Sequence, residues 1–589
     1  MSVIFKSKKH FYDVLIIGSG GSGLAAGIFA ARKGLRIAIA SKVHPLKSHT
    51  IAAQGGINAA LSNVAPDDVK WHIYDTLKAA DGLADVDSVE YMCNTAPEMI
   101  SMLESLGVEF DRKADGKIDQ KVYGGQSTDF GQGGFAYRAC YAKDRTGHSI
   151  MHKLYETALS LGVEFFNYNF ALDLNTQDNK CFGASFWDVE NGSTNIIFAD
   201  NTIIATGGWS QIYSTTTCAN ICTGDGIGLA ARAGVGLQDM EFVQFHPTAI
   251  NKVGVLITEA SRSAGGKLRN AKGERFMSKY APKLMELATR DVVARAISTE
   301  INIGNGAGED KDHVWLDLTH LTRDQIKETL PTVYENALSF ANVDPSAEFI
   351  PISPAAHYNM GGIPTNSNCQ VVKHKDRDVV FEGLYAIGET ASISVHGAGR
   401  LGCNSLLDLL VFAKKVGERL GVREEAKLLN RHPEEAQATV RIQKYFKTLL
   451  DPDVALRAPR DEDLRAQENS VTDLTSKLKQ LMNKNVGVFR SKGSLLNARK
   501  ELHKLEKDFK SIRIKDKSLC WNLELQHYLE LQNMIICAKA TINGAIWRQE
   551  SRGAHWRDDF PEKNEEFQAH FVWFLDEDDD ILYRREVRG

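Results

Sequence analysis

The stretch "VLIIGSGGSGLAAGIFAARKG", residues 14–34, decides the fold that we expect for this chain. Apolar residues lead directly into a glycine-rich run, and small residues suited to a closely packed helix follow. Gly18, Gly20 and Gly23 have the GxGxxG spacing of a turn between a strand and a helix. In such a turn Gly18 permits a tight bend, Gly20 lets a pyrophosphate approach the backbone, and Gly23 brings helix and strand together. The sequence therefore predicts a dinucleotide site in an α/β domain.

The second strand, "RIAIA", ends at Ser41-Lys42, without the acidic residue that holds the ribose in NAD sites. The missing acidic residue argues against NAD as the cofactor and favours FAD, provided that other loops complete the site. Each candidate loop taken alone is more often an ordinary turn, but together they predict one extended adenine-dinucleotide site. The candidates are "ATGG" (205–208), "TGDGIGLAARAG" (223–234) with Asp225, and "AIGETA" (386–391) with Glu389.

Composition narrows the class of protein. The 589 residues are 43% hydrophobic and 25% charged, which is typical of a globular chain, and the length allows about four domains. The net charge of −5 offers no broad basic field for nucleic acid. The nine cysteines contain no CxxC pair, so we expect neither a zinc site nor an iron–sulfur cluster. No window of about 18 apolar residues predicts a membrane span.

The pattern along the chain predicts an α/β fold whose first domain is discontinuous. Strand-turn-helix character appears in residues 12–60 and returns in "EGLYAIGETA" (382–391), whereas residues 237–355 carry no glycine-loop signal. From about residue 421 onward charged helices dominate. The predicted units are a Rossmann-like dinucleotide domain in two parts, an inserted domain, a helical domain and a small C-terminal segment: 1–236 with 356–420, then 237–355, 421–545 and 546–589.

Successive motifs carry a family resemblance from about residue 12 to residue 561. They are "KSHTIAAQGG", "GGQSTDFG", "DRTGHSIMHKLYE", "QFHPT", "GERFM", "RDVVARAI", "HYNMGGIPT", "GETASISVHGAGRLGCNSLLD" and "SRGAHWRDDFP". In their order and number they resemble the flavoprotein subunits of succinate dehydrogenase and fumarate reductase. The resemblance implies an FAD-binding domain interrupted by a capping domain, which matches the units above.

The resemblance also implies a reaction and the residues that perform it. The family interconverts succinate and fumarate by hydride transfer at the flavin and proton exchange at the adjacent carbon. Arginine suits a dicarboxylate because its planar fork donates two parallel hydrogen bonds. The family's motifs assign proton transfer to Arg290, with Glu259 and Arg262 as a relay. The substrate-binding positions that match are His246, Thr258, His357 and Arg400.

Two positions depart from the family pattern. Where the family has Arg-Gly-Glu-Gly-Gly, this chain has Arg262-Ser263-Ala264-Gly265-Gly266, so Arg262 lacks one expected carboxylate neighbour. Tyr123 in "VYGGQS" stands where the family more often has Phe.

The histidine of "KSHT" implies a covalent cofactor. In the family the matching histidine is bonded to the flavin, so His49 is the predicted attachment point, and Gly55-Gly56 let the backbone approach the ring. The FAD site that motifs and resemblance imply together comprises Gly18, Ser19, Gly20, Gly21, Ser22, Gly23, Ser41, Lys42, Ser48, His49, Thr50, Gln54, Gly55, Gly56, Ala205, Thr206, Gly207, Asp225, Glu389, Ser405 and Leu406.

Several alternatives stay open at this stage. A flavin-holding subunit with an inactive dicarboxylate site conflicts with the complete residue set. L-aspartate oxidase holds its flavin noncovalently, so His49 speaks against it. Gln54 resembles the dehydrogenases, whereas some fumarate reductases carry Glu there. The resemblance further implies an iron–sulfur subunit and membrane anchor subunits, with this chain peripheral on the cytoplasmic face of the inner membrane or, in a mitochondrion, on the matrix face.

Overall fold

The computed structural model describes residues 7–420 and 470–588. The stretch 421–469 of the predicted helical domain lies outside the described residues, as do 1–6 and 589. The described strands are β1 Ser7–Ile17, β2 Ile37–Ser41, β3 Ile57–Asn58, β4 Gln120–Lys121, β5 Ala139–Cys140, β6 Glu164–Asn167, β7 Asn169–Gln177, β8 Lys180–Asp188, β9 Ser193–Ile204, β10 Leu237–Gln238, β11 Val243–Ile250, β12 Lys267–Arg269, β13 Val314–Asp317, β14 Ile350–Asn359, β15 Ile363–Pro364, β16 Gln370–His374, β17 Asp378–Ala386, β18 Ala391–Ser392, β19 His570–Trp573 and β20 Leu582–Arg585.

The described α-helices are α1 Gly21–Ala31, α2 Val69–Ala79, α3 Val86–Ser105, α4 Thr146–Ser160, α5 Asp225–Arg232, α6 Ala260–Ser263, α7 Met277–Tyr280, α8 Arg290–Glu300, α9 Arg323–Thr329, α10 Pro331–Asn336, α11 Asn404–Arg419, α12 Val471–Asn485, α13 Lys492–Ser511 and α14 Leu523–Trp547.

The central eight-stranded sheet has a parallel core in the order β6-β2-β1-β9-β17, and β7, β8 and β16 add antiparallel neighbours. Val14 on β1 pairs with Ile37 on one side and with Asn201 on the other. Every residue of β2 is buried, as are Val14–Ile17 of β1. Parallel strands that are buried on both faces need helices on both sides of the sheet, which is the doubly covered α/β arrangement.

The GxGxxG turn joins β1 to α1 as its spacing predicts. Gly18 has φ +109°, and a Cβ atom there would lie 2.3 Å from the carbonyl oxygen of Ala205. A Cβ atom on Gly23 would lie 2.0 Å from the carbonyl oxygen of Gly18. Both glycines are therefore required by backbone packing, because no side chain fits in either space.

The inserted region folds around a second sheet, antiparallel in the order β11-β14-β13-β12, with α8 packed against β11. It has its own apolar core, which includes Leu268, Ile297 and Leu316. Strand β14 then leads the chain back toward the first domain, where β16 and β17 rejoin the central sheet. This return confirms the predicted discontinuous α/β fold class.

The C-terminal helices and strands close the molecule against the first domain. The face of α12 that carries Val471, Leu474 and Leu478 is buried in the main core, and α14 packs against α5. Strands β19 and β20 form a small sheet with β10. Within the two described ranges, no helix is both long enough and apolar enough to cross a membrane.

Candidate active site

One cavity of about 1100 Å³ lies at the carboxyl ends of β1, β2 and β9 and extends under the inserted domain. Ligands of open α/β sheets bind at this edge of the sheet. All the predicted site residues line the cavity except Gly23, which packs behind the turn, and Arg262. The structure thus brings together residues that are spread from 18 to 406 in the sequence.

The glycine turn forms one end of the cavity, and its chemistry fits the pyrophosphate of FAD. A Cβ atom on Gly20 would have no neighbour closer than 3.5 Å, so open space lies in front of this residue. The hydroxyls of Ser19 and Ser22 are buried and have no hydrogen-bond partner among the described residues. The turn also opens α1, whose N-terminal backbone N–H groups favour an anion. A bound phosphate would accept hydrogen bonds from the Ser19 and Ser22 hydroxyls and from the backbone N–H groups of the turn.

Lys42 lines the cavity and is held there by two carboxylates and a hydroxyl. Its Nζ lies 2.8 Å from Asp225 Oδ2, 2.8 Å from Glu530 Oε1 and 2.7 Å from Thr223 Oγ1. Burial alone would lower the pKa of Lys42, but the two carboxylates outweigh it and raise the pKa above its ordinary value. Because Glu530 belongs to α14, this ion-pair cluster joins the wall of the cavity to the C-terminal helices.

Glu389 is a partly buried carboxyl group in the cavity, and no cationic side chain among the described residues lies at hydrogen-bond distance from it. Its Oε1 accepts a hydrogen bond from the backbone N–H of Asn359 at 3.1 Å. Burial, with a contribution from Cys218, raises the pKa of Glu389 to about 8. A carboxyl group with this pKa retains its proton at neutral pH and can donate a hydrogen bond to a ligand hydroxyl.

The loop that carries His49 runs along the cavity as a short 3₁₀ helix, His49–Ala52. The backbone N–H of Ala219 donates to His49 Nδ1 at 3.2 Å, so this nitrogen is an acceptor. A Cβ atom on Gly55 would have 3.6 Å to its nearest neighbours, whereas one on Gly56 would lie 2.6 Å from the carbonyl oxygen of Cys140. Gly55 therefore keeps the cavity open, and Gly56 is required for packing against β5.

The other end of the cavity is built from histidine and arginine side chains. The rings of His246 on β11 and His357 on β14 lie 5.0 Å apart. Burial, followed by the charge of Arg290, lowers the pKa of His246 well below its usual range. Burial, followed by His246, does the same for His357. Both imidazoles are therefore neutral, and they can donate hydrogen bonds to a substrate without adding charge.

Arg290, Glu259 and Arg262 form a continuous chain of charged groups. Arg290 Nε donates to Glu259 Oε2 at 3.0 Å, and the same oxygen lies 3.3 Å from Arg262 Nη2. Burial would raise the pKa of Glu259, but the two arginines outweigh it and lower the pKa. Arg262 also donates from Nη1 to the carbonyl oxygen of Glu286. Arg262 thus keeps an acidic partner, Glu259, although residue 264 is alanine.

With this geometry established, known proteins show which family has the same sequence and fold. The family model described as "FAD binding domain" matches residues 13–406, and "Fumarate reductase flavoprotein C-term" matches residues 475–588. The chain is 46% identical to the succinate dehydrogenase flavoprotein subunit of Rickettsia bellii over 96% of this chain and 94% of that protein. The chain belongs to this flavoprotein family.

Two further members support this assignment. The mitochondrial succinate dehydrogenase [ubiquinone] flavoprotein subunit of Oryza sativa is 46% identical over 95% of this chain and 87% of that protein. A variant of the FrdA chain of E. coli quinol fumarate reductase superposes with a TM-score of 0.88 at 32% identity, covering 99% of this chain and 97% of that chain. The resemblance drawn from the motifs is confirmed, and so is FAD as the cofactor of this flavoprotein.

The structure adds residues that the sequence reasoning missed. Gln244 Oε1 accepts from Arg400 Nη2 at 3.0 Å and lies 3.5 Å from Arg290 Nη1, so one amide contacts both arginines. Tyr358 lies under the Arg400 guanidinium, 4.3 Å from Cζ to the ring centroid. Both residues lie inside the motifs "QFHPT" and "HYNMGG", in which the sequence predicted a role only for the histidines.

Two remaining expectations concern Tyr123 and metals. Tyr123 is buried, its hydroxyl faces the space beside Gly55, and burial raises its pKa well above the usual range. Its hydroxyl is therefore neutral and lies in the same cavity as His246 and Arg290. Across the described ranges 7–420 and 470–588, no group of three or more His, Cys, Asp or Glu side chains could hold a metal ion.

Proposed function

We propose that this chain is the catalytic flavoprotein subunit of a succinate dehydrogenase, which oxidises succinate to fumarate. One observation carries the proposal: the linked charges Arg290, Glu259 and Arg262 begin in the same cavity as the dinucleotide turn at Gly20. FAD, when bound, supplies the acceptor for a hydride from the substrate. The remaining chemistry belongs to the side chains.

The substrate end of the cavity provides binding groups for a dicarboxylate. Arg400 is buried, and burial, followed by the Arg290 charge, lowers its pKa to about 10, which leaves it a cation at neutral pH. Its guanidinium borders the cavity, and its Nε has no hydrogen-bond partner among the described residues, so Arg400 is suited to bind a carboxylate. His246, His357 and Thr258 line the same region and supply neutral donors for the second carboxylate.

Arg290 takes the proton from the substrate carbon in this proposal. A guanidinium is a poor base unless a relay removes its proton, and Glu259 lies 3.0 Å from Arg290 Nε to do so. Arg262, on the far side of Glu259, continues the relay. Because Glu259 also accepts from the backbone N–H of Gly124 at 2.6 Å, its carboxylate is held in place for both arginines.

A test of the reaction is the absorbance of the oxidised flavin under anaerobic conditions. Addition of succinate should bleach the flavin band, and Arg290→Gln should retain flavin but lose the rapid bleaching. Wild-type protein with intact flavin that does not bleach would favour the second candidate, a flavin-holding subunit with an inactive dicarboxylate site.

We also propose that His49 is bonded covalently to FAD. The residue lines the cavity, and its Nδ1 already accepts the Ala219 N–H, which leaves Nε2 as the nitrogen for the bond. Flavin fluorescence should stay with the acid-denatured polypeptide and should be absent from denatured His49→Ser. Release of all flavin from the denatured wild-type chain would refute the bond and would revive the L-aspartate oxidase alternative.

The assembly follows the names of the relatives, which are called flavoprotein subunits. We propose an iron–sulfur subunit and membrane anchor subunits as partners, with this chain peripheral on the cytoplasmic or matrix face of the membrane. The relatives at 46% identity are succinate dehydrogenases, whereas the fumarate reductase is 32% identical, which favours the oxidative direction. Purification of the native complex tests the proposed partner subunits. Comparing its rates of succinate oxidation and quinol-driven fumarate reduction tests the proposed direction.

A further inference from the structure

Arg400 is held by neighbouring side chains in the plane of its guanidinium and against one face of it. In the plane of the guanidinium, Gln244 Oε1 accepts from Nη2 at 3.0 Å, and Gln244 Nε2 donates to the Arg400 carbonyl oxygen at 2.9 Å. Below the plane, the Tyr358 ring centroid lies 4.3 Å from Cζ. The orientation of the guanidinium is therefore fixed both within its plane and against its face.

The Tyr358 ring is itself fixed by a buried carboxylate. Its hydroxyl donates to Asp408 Oδ2 at 3.2 Å, and Asp408 lies on α11 with only 3% of its surface exposed. His396 packs edge-on to the same ring, at 5.5 Å between centroids. His396 Nε2 also lies 3.4 Å from Asp408 Oδ2, and because burial lowers the pKa of His396, this imidazole is a neutral neighbour of the carboxylate. Donation to a carboxylate raises the electron density of a phenol ring and thereby strengthens its attraction for a cation.

We propose that Tyr358 and Asp408 are positioning residues that orient Arg400 for a substrate carboxylate and so set the affinity for the dicarboxylate. This inference rests on the proposed function, because it assumes that Arg400 binds substrate. Arg400 borders the cavity, and the stacked ring together with Gln244 fixes the direction in which its guanidinium donates. Binding depends on that direction, whereas proton removal at Arg290 does not. The effect of losing the ring should therefore fall on KM and not on kcat.

The test uses the holoenzyme with succinate as substrate and malonate as a dicarboxylate that binds without reacting. Tyr358→Leu should raise KM for succinate and Kd for malonate about 5- to 30-fold, with kcat per bound flavin changed by less than about 3-fold. Tyr358→Phe keeps the ring and should restore most of the affinity. Asp408→Asn removes the charge behind the hydroxyl and should raise KM about 2- to 5-fold.

Tyr213→Phe is the matched control, because Tyr213 is another buried tyrosine whose hydroxyl donates to the Val486 carbonyl oxygen at 3.2 Å, outside the cavity. Its KM should equal that of the wild type. The proposal is overturned if Tyr358→Leu binds malonate with wild-type affinity, or if Tyr213→Phe raises KM as much. Should Tyr358→Leu fail to fold, Asp408→Asn decides, and a wild-type KM for succinate in that variant overturns the proposal.

Arg400→Met separates this inference from the proposed function. If Arg400→Met abolishes malonate binding while the Tyr358 variants bind normally, the positioning role is wrong and the substrate assignment of Arg400 stands. If Arg400→Met binds malonate as the wild type does, the proposed substrate site itself is wrong.

Discussion

The two ends of the cavity are constructed in opposite ways. The glycine turn at the cofactor end is backbone from one continuous stretch, residues 14–34, in which Gly18 and Gly23 stand where no side chain fits. The substrate end is a set of charged and polar side chains from separate segments between His246 and Arg400. Added side-chain atoms should therefore impair folding and FAD binding at the cofactor end, whereas removed charges should impair catalysis at the substrate end.

The same contrast appears in two carboxyl groups that line the cavity. At the substrate end Glu259 lies between Arg262 and Arg290, which outweigh the effect of burial and lower its pKa. At the cofactor end Glu389 has no such arginine pair, and burial raises its pKa to about 8. The two groups thus have opposite protonation states, because only Glu259 has cations in contact.

The largest effect should come from removing a charge at the substrate end. Arg290→Gln removes the guanidinium that exchanges the proton and leaves a shorter neutral amide, so kcat should fall about 10³-fold. The measurement is the anaerobic rate of flavin reduction by succinate, normalised to flavin content. Arg295→Gln, one turn further along α8 and paired with Asp291 at 3.0 Å, should keep wild-type kcat. A residual rate above about one tenth in Arg290→Gln would remove Arg290 from the proton path.

The second prediction concerns the stability of flavin-free protein as pH changes. The pKa of Glu389 is about 8 in the folded state and 4.5 ordinarily, so between these values the folded chain binds more protons and stability falls as pH rises. Glu389→Gln removes this loss. The unfolding free energy of Glu389→Gln minus that of the wild type should therefore increase as pH rises. We expect about 1.4 kcal/mol per pH unit between about pH 5.5 and about pH 7.5.

Glu259→Gln is the matched comparison, because the lowered pKa of Glu259 has the opposite sign. An ionised, paired Glu259 stabilises the fold above its unfolded pKa, and that stability is lost as pH falls through the folded pKa. A flat difference between Glu389→Gln and wild type over the same window would contradict the assigned protonation of Glu389.

The third prediction adds one methyl group at the cofactor end. Gly23→Ala places a Cβ atom 2.0 Å from the Gly18 carbonyl oxygen, so α1 must move away from β1. The unfolding free energy should fall by about 1–3 kcal/mol, and the bound FAD should decrease with it. Denaturant unfolding and the flavin-to-protein absorbance ratio measure the two effects. Wild-type stability in Gly23→Ala would show that the turn tolerates side chains and would weaken the contrast between the ends.

The sequence predicted the cofactor end more completely than the substrate end, for a physical reason. A GxGxxG turn is specified by local backbone geometry, so Gly18 and Gly23 could be assigned from spacing alone. The substrate end depends on contacts between distant segments, and only the family resemblance assigned Arg290 and Arg400. Even that resemblance missed Gln244, which contacts both arginines, because an amide inside a strand has no distinguishing local pattern. Lys42 likewise found partners on α14 that no local signal indicates.

The smallest effect on stability should come from Gly20→Ala. This variant tests whether Gly20, unlike Gly23, is needed for cofactor approach and not for backbone packing. Gly20 has φ −71°, which alanine adopts freely, and its added Cβ would have 3.5 Å to Thr50 Oγ1. The unfolding free energy should therefore stay within about 0.5 kcal/mol of wild type. The methyl group would instead occupy the open space in front of the turn, so FAD affinity should fall about 10-fold in a His49→Ser background, where binding is reversible. Unchanged FAD affinity would mean that the pyrophosphate does not approach the backbone at Gly20, and the cofactor end would then owe its shape to packing alone.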